Sequence, residues 1–335
     1  MLRHLSALGL ALLAAAPALA QEVNLYSARH YDSDLRIYEN FTAQTGIRVN
    51  VIEGSDQQLL QRLETEGVNS PADIFVTVDG GRLYQAVQAG VFQPVDSAIL
   101  DDRVPANFRH PDNLWFGLSA RARVIFTRKG ERPDWLDDYE DLADPRLEGE
   151  ICIRSSSNIY NISMMAEMIE VMGAEAAEAW AQGVADNLAR RPQGGDRDQL
   201  RALAAGECSV AVSNTYYWGA LAQSEDPADR AVADAVEFFY PNQSNRGAHV
   251  NISGAGVTRY APNRENAIRF LEYLVSDEAQ SIFADSNNEF PIVPGVVIHG
   301  PVAPFTEFRN SGVNVSVYGL NAAEATDIFD RVGFP

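Results

Sequence analysis

The chain has 335 residues, 46% of them hydrophobic and 9% aromatic, with 46 acidic residues against 26 basic ones. That is enough apolar content for ordinary cores and about twice the length of a typical domain, so two lobes are expected. A formal charge of −20 repels nucleic acid and anionic membrane at long range, which argues against either as a partner.

The first twenty residues read as a secretory leader rather than as part of the fold. Met1-Leu2-Arg3-His4 is a short basic start, Leu5 to Ala16 is mostly apolar, and Pro17-Ala18-Leu19-Ala20 supplies small residues before a cut at Gln21. The apolar run is short for a bilayer-spanning anchor, which needs about 20 residues. Export disfavours a cytoplasmic metabolic enzyme, and no cysteine follows the leader to take a lipid. The remainder carries 25 basic residues, of which Lys129 is the one lysine, and a formal charge of −21.

Strand and helix then alternate. Val23 to Tyr26 reads as a strand, followed by Ser27-Ala28-Arg29-His30-Tyr31 and a helix to Thr42 with Leu35, Tyr38 and Phe41 on one face. Ile47–Ile52 is the next strand, Leu59, Leu60 and Leu63 mark a helix, Ile74–Val78 is an apolar strand, and a helix spans 81–88. Little alternation within these strands predicts a parallel sheet covered on both faces. Leu114–Leu118 and Ala122–Phe126, with almost no loop between them, predict one strand passing between lobes. A helix is expected near 134–143, a strand over 150–154, helices over 158–173, 175–188 and 196–205, a strand over 209–213 and a helix over 215–223. A second extended run, 249–257, returns the chain, and a helix spans 263–275. Two crossings imply lobes of 21–119 with 251–335, and of 120–250, joined by a two-strand hinge that permits closure.

Cys152 and Cys208 are the two cysteines, 56 residues apart. In an oxidising compartment a bridge is expected, against two buried thiols or a metal pair that no Cys-x-x-Cys or Cys-His cluster supports.

Of the twelve tyrosines, Tyr26, Tyr38 and Tyr273 sit on apolar faces and are expected in the core. Tyr31, Tyr160, Tyr216 and Tyr217 instead follow predicted strands at or near helix starts, the last two after a cap at Asn214 or Thr215. Ligands of open parallel sheets bind beyond the strands' C-terminal ends, so these four converge on one crevice. Ionising one free tyrosine at neutral pH costs about 4 kcal/mol. Several together make sense only around a highly charged, hard cation, and ferric iron is the biological candidate. The alternative is that Tyr216 and Tyr217 are one core ring and one surface ring.

With these residues in view, the chain resembles the periplasmic ferric-iron-binding proteins of ABC transporters, of the cyanobacterial type within the extracellular solute-binding proteins. The resemblance rests on Val23 to Tyr31, Asn69-Ser-Pro-Ala-Asp73, Trp115-Phe-Gly, Arg121-Ala-Arg-Val124, Ile153 to Asn158 with Tyr160, Asn214 to Tyr217, and His249 to Gly254. It implies a periplasmic-binding-protein type II fold of two α/β lobes. It also implies Fe(3+) as cargo, held by Tyr31, Tyr160, Tyr216 and Tyr217 with His30 as a fifth ligand or a close neighbour. The implied partners are the permease and ATPase of an importer in the inner membrane, with the protein itself a monomer in the periplasm. Four phenolates on a trivalent ion leave one net negative charge, so Arg121, Arg123 and Arg154 are the expected balancing cations. His110, His249 and His299 lie in turn or hinge stretches and are expected to be structural.

Arg154-Ser-Ser-Ser-Asn158 supports a second reading, an oxyanion or phosphonate receptor that cradles its ligand on hydroxyls and helix N–H groups. Such a receptor has no use for four tyrosines in the same crevice; the bland reading of the serines is helix capping. No GxSxG elbow, HExxH or Walker A loop is present, so no enzyme is expected.

Overall fold

The computed structural model describes residues 21–29 and 31–335; the leader and His30 lie outside the described residues. Nine strands are present among the described residues: β1 (Glu22–Ser27), β2 (Arg48–Glu53), β3 (Ile74–Val78), β4 (Phe116–Arg128), β5 (Ile151–Cys152), β6 (Val210–Asn214), β7 (Val236–Phe239), β8 (Val250–Val257) and β9 (Phe290–Pro291). They are joined in the order β2-β1-β3-β8-β4-β6-β5, with β7 and β9 also pairing with β4. β1 runs parallel to β2 and β3, and β5 parallel to β6, but β8 runs antiparallel to β3 and β4, and β4 antiparallel to β6, so the sheet is mixed rather than the parallel one expected.

The two apolar runs around residue 120 do form one strand. The first part of β4, through Ala122, pairs with β8, and its second part, from Arg123, pairs with β6. Side chains alternate between faces along it. Leu118, Ala120, Ala122, Val124 and Phe126 therefore share one face, and Ser119, Arg121 and Arg123 the other. All are buried. His249, Asn251 and Ser253 alternate in the same way along the return run. The two crossing strands thus bring a row of polar side chains into the interior.

One core lies around β1, β3 and β8 and includes Leu25, Phe41, Phe75, Leu83, Trp115 and Phe270. A second gathers Ile125, Leu136, Tyr139, Met164, Met165, Trp180 and Val212. Ala325, Ile328 and Phe329 of helix Ala322–Arg331 join that second core, so the last helix packs with the 120–250 segment rather than with the rest of 251–335. The helix expected near 134–143 is replaced by a loop and a short 3-10 turn, Tyr139–Ala143. Asp141 explains the difference: its carboxylate accepts the Asp137 and Asp138 N–H groups, both at 2.8 Å, which starts the turn only at Tyr139. Helix Pro227–Ala235 and β7 add to the expected elements. No helix among the described residues is long and apolar enough to cross a membrane.

Candidate metal centre

Three loops, each leaving the C-terminal end of a strand, carry the four tyrosines. Tyr31 follows β1 and stands three residues before helix Asp34–Thr45, where its carbonyl accepts the Asp34 N–H. Tyr160 lies in the first turn of helix Ile159–Met172, whose cap Asn158 accepts the Tyr160 N–H at 3.1 Å through its side chain. Tyr216 and Tyr217 open helix Thr215–Ala222 directly after β6. β5 and β6 are paired neighbours, so the second and third loops emerge side by side. A disulfide between Cys152 and Cys208, with Cα atoms 6.0 Å apart, ties the C-terminal end of β5 to the segment that leads into β6.

The Tyr160 and Tyr216 hydroxyl oxygens are 3.2 Å apart, and the Tyr216 and Tyr217 rings have centroids 4.1 Å apart. Burial, then the Glu289 carboxylate, pushes the Tyr31 phenol up to about 12, with Tyr160 adding to the rise and Arg29 and Arg121 opposing it. Burial raises Tyr216 well above the ordinary phenol range, and Tyr160, Tyr217 and Tyr31 add to the effect. Tyr217 is raised by burial and by Tyr160. Tyr31, Tyr160 and Tyr216 are thus within electrostatic reach of one another, with Tyr217 in reach of Tyr160 and Tyr216, and the surroundings favour the neutral form of Tyr31, Tyr216 and Tyr217. A cation would reverse that preference. No group of three or more His, Cys, Asp or Glu side chains among the described residues is placed to hold a metal.

Arg121 and Arg154 take the positions expected of balancing cations. Arg121 is buried, donates to Ser253 Oγ at 3.1 Å and feels both Tyr160 and Tyr216. Its Nε has no hydrogen-bond partner among the described residues. Arg154 pairs with Asp196 at 2.9 Å and stands 5.9 Å from the Tyr160 ring centroid. Arg123 turns away instead: its guanidinium donates to Asp196, Asn161 and Asn214, bracing the loops from behind.

Arg29 is the functional side chain that sequence reasoning passed over. It lies under the Tyr31 ring, 4.8 Å from guanidinium carbon to centroid, and donates to Asp34, Ser119, Ser253 and Glu289 at 3.0, 3.1, 2.6 and 3.1 Å. One residue thus anchors the Tyr31 loop to both crossing strands. Its place inside the Ser-Ala-Arg-His-Tyr run was the available signal; Glu289, one of 46 acidic residues, carried none.

The helix cap is Asn158 and not one of the serines before it. Ser155 and Ser157 hydroxyls bond each other at 2.9 Å, and the Ser156 N–H is taken by the Pro335 carbonyl at 2.9 Å. Of the histidines expected to be structural, His249 is buried against Glu167, His110 accepts the Asp112 N–H at 3.0 Å, and His299 is an exposed partner of Asp285. Tyr26 is buried, whereas Tyr38 and Tyr273 are only partly covered by the core.

Residues 69–304 match the family described as bacterial extracellular solute-binding protein. The chain belongs to that family. This solute-binding protein is 49% identical to iron uptake protein A1 of Synechocystis sp., over 95% of its own length and 89% of the relative's. Among solved structures, a Trichodesmium protein (IdiA, FutA) in complex with iron and citrate superposes with a TM-score of 0.92, at 52% identity and over 94% of this chain and 100% of that one. The ferric binding protein from Campylobacter jejuni gives 0.86 at 43% identity, covering 93% and 100%. The fold is accordingly that of the type II periplasmic binding proteins.

Proposed function

We propose that this solute-binding protein is a periplasmic receptor for ferric iron that hands its cargo to an ABC importer in the inner membrane. The observation that carries the reading is the convergence of Tyr31, Tyr160, Tyr216 and Tyr217, with two hydroxyls 3.2 Å apart beside a buried arginine. Phenolates are hard, anionic donors that suit a small trivalent ion. The names of the iron uptake and ferric binding relatives support the same assignment. His30 is adjacent in sequence to Tyr31 and is assigned beside the metal, as a fifth ligand or its neighbour.

In this reading the lobes are 21–119 with most of 251–335, and 120–250 with the last helix. Tyr31 comes from one and the other three tyrosines from the second, so loading draws them together. The protein acts as a monomeric carrier without catalysis, and a permease with its ATPase consumes the cargo.

The test is titration of the metal-free protein with ferric citrate, followed by the visible phenolate-to-iron charge-transfer band. Tyr160→Phe and Tyr217→Phe keep the ring and should weaken both the band and the affinity, while Tyr38→Phe, away from the cluster, should leave both unchanged. Parent-like iron binding in all four tyrosine variants would sink the reading.

A further inference from the structure

We propose that Ser163 and Glu167 are positioning residues for Tyr160, holding its helix in a fixed register against the return strand. The proposal rests on the reading of Tyr160 as an iron ligand. Tyr160, Ser163 and Glu167 follow one another at spacings of three and four, which places them on one face of helix Ile159–Met172. Ser163 donates to the two Asp79 carboxylate oxygens at 2.7 and 2.9 Å. The same carboxylate accepts the Asn251 amide and the Gly81 N–H, both at 2.7 Å. One turn further on, Glu167 Oε2 meets His249 Nδ1 at 2.5 Å and accepts the Tyr318 hydroxyl at 2.7 Å.

The two anchor points match in spacing. Four helical residues advance about 6 Å and two strand residues about 6.6 Å, so Ser163 and Glu167 reach Asp79-Asn251 and His249 in step. Sliding the helix by a residue or turning it would break both anchors together. Asp79 also adopts φ 85°, a conformation an L residue rarely holds without support, and its side-chain bonds supply that support. Gly81 leaves room for that carboxylate: a Cβ there would lie 3.1 Å from Asp79 Oδ1. Ser163, Glu167, Asp79, Asn251, His249 and Tyr318 are all under 5% exposed. A ligand site needs placement to within about half an ångström. These anchors sit one and two turns from the Tyr160 hydroxyl's root, on the side of the crossing strands.

A double-mutant cycle separates positioning from general stability. Ser163→Ala and Glu167→Gln are made in the parent and in Tyr160→Phe, and ferric-iron affinity is measured by competition with citrate, with melting curves to verify the fold. If they act through Tyr160, each lowers affinity about tenfold in the parent and less than about twofold in the Tyr160→Phe background. Glu170→Gln, exposed on the same helix, should leave affinity unchanged. Equal losses in both backgrounds, or no loss in the parent, overturn the positioning role. If Tyr160→Phe alone has no effect, the ligand assignment fails and the positioning role falls with it, an outcome distinct from an additive cycle.

Discussion

Replacing both Cys152 and Cys208 with alanine removes a cross-link that closes 56 residues of chain. In the chain-entropy description, a loop of that length withdraws about 14 cal/mol/K from the unfolded state, which amounts to about 4 kcal/mol at 25 °C. Alanine is chosen because both cysteines are buried, at 1% and 2% exposure, and a serine hydroxyl there would add its own desolvation cost. The effect on melting depends on what unfolds together. At about 2.1 cal/mol/K of unfolding entropy per residue, loss of 4 kcal/mol lowers the midpoint by about 15 °C if some 130 residues of the second lobe melt as a unit. If the whole exported chain melts in one step, the same calculation gives about 6 °C. Calorimetry on the metal-free parent and the double variant reads this directly and reveals which unit is cooperative. Pairing of β5 with β6 survives the change, and the bridge lies behind the tyrosine loops, so the iron charge-transfer band should persist in the variant. A midpoint within 1 °C of the parent, or two free thiols in the denatured unreduced protein, would refute the reasoning.

Three further outcomes are expected. Asp196→Ala leaves Arg123, which is 1% exposed, without its carboxylate, and chemical denaturation should show a loss of about 3–5 kcal/mol; a loss under about 1 kcal/mol would mean Asn161 and Asn214 suffice. Tyr31 is raised to about 12, so its neutral form favours the native state below its unfolded value near 10, a contribution lost as pH rises through 12. Iron binding runs the other way because it releases that proton: Tyr31→Phe should reduce the rise of iron affinity with pH by one proton, measured by proton release near pH 7, and an unchanged count would remove Tyr31 from the ligand set. Burial alone would raise the Glu167 carboxyl, but His249 and the hydrogen bonds from His249 and Tyr318 hold it below its usual range. Its stabilising contribution is therefore present above about 4.5 and lost as pH falls through the lower folded value, and Glu167→Gln should flatten the acid limb of a stability–pH curve.

What could be read from the residues was whatever depends on local spacing. The Tyr31, Tyr160 and Tyr216-Tyr217 loops were legible because each follows an apolar run and stands at or close to a helix start. The long strand β4 was legible because Leu114–Leu118 and Ala122–Phe126 leave no room for a turn. The 134–143 stretch misled because apolar spacing there resembles a helix, while Asp141 spends its carboxylate on backbone N–H groups ahead of it. The last helix was misplaced because Ile328 and Phe329 choose their core by a contact some 150 residues back along the chain, which no local pattern encodes. Arg29 and Glu289 were illegible for the same reason, being 260 residues apart.

The alternation Ser119-Ala-Arg121-Ala-Arg123 shows how such a long-range arrangement can still leave a trace. Two arginines on one face of an otherwise apolar strand would be costly in a core unless each found partners, and replacing such buried pairs with apolar residues is often neutral or stabilising. The row is therefore poorly explained as a source of stability. Its partners explain it better. Ser119 is bonded to Arg29 beneath Tyr31, Arg121 faces Tyr160 and Tyr216, and Arg123 holds Asn161 and Asn214 beside the other two loops. Ser119 thus reaches the Tyr31 segment, while Arg121 and Arg123 each reach both of the other tyrosine-bearing segments. A strand paired with β8 along its first part and β6 along its second can hold all three loops relative to one another, and a hydrophobic face could not supply the directional bonds that this requires.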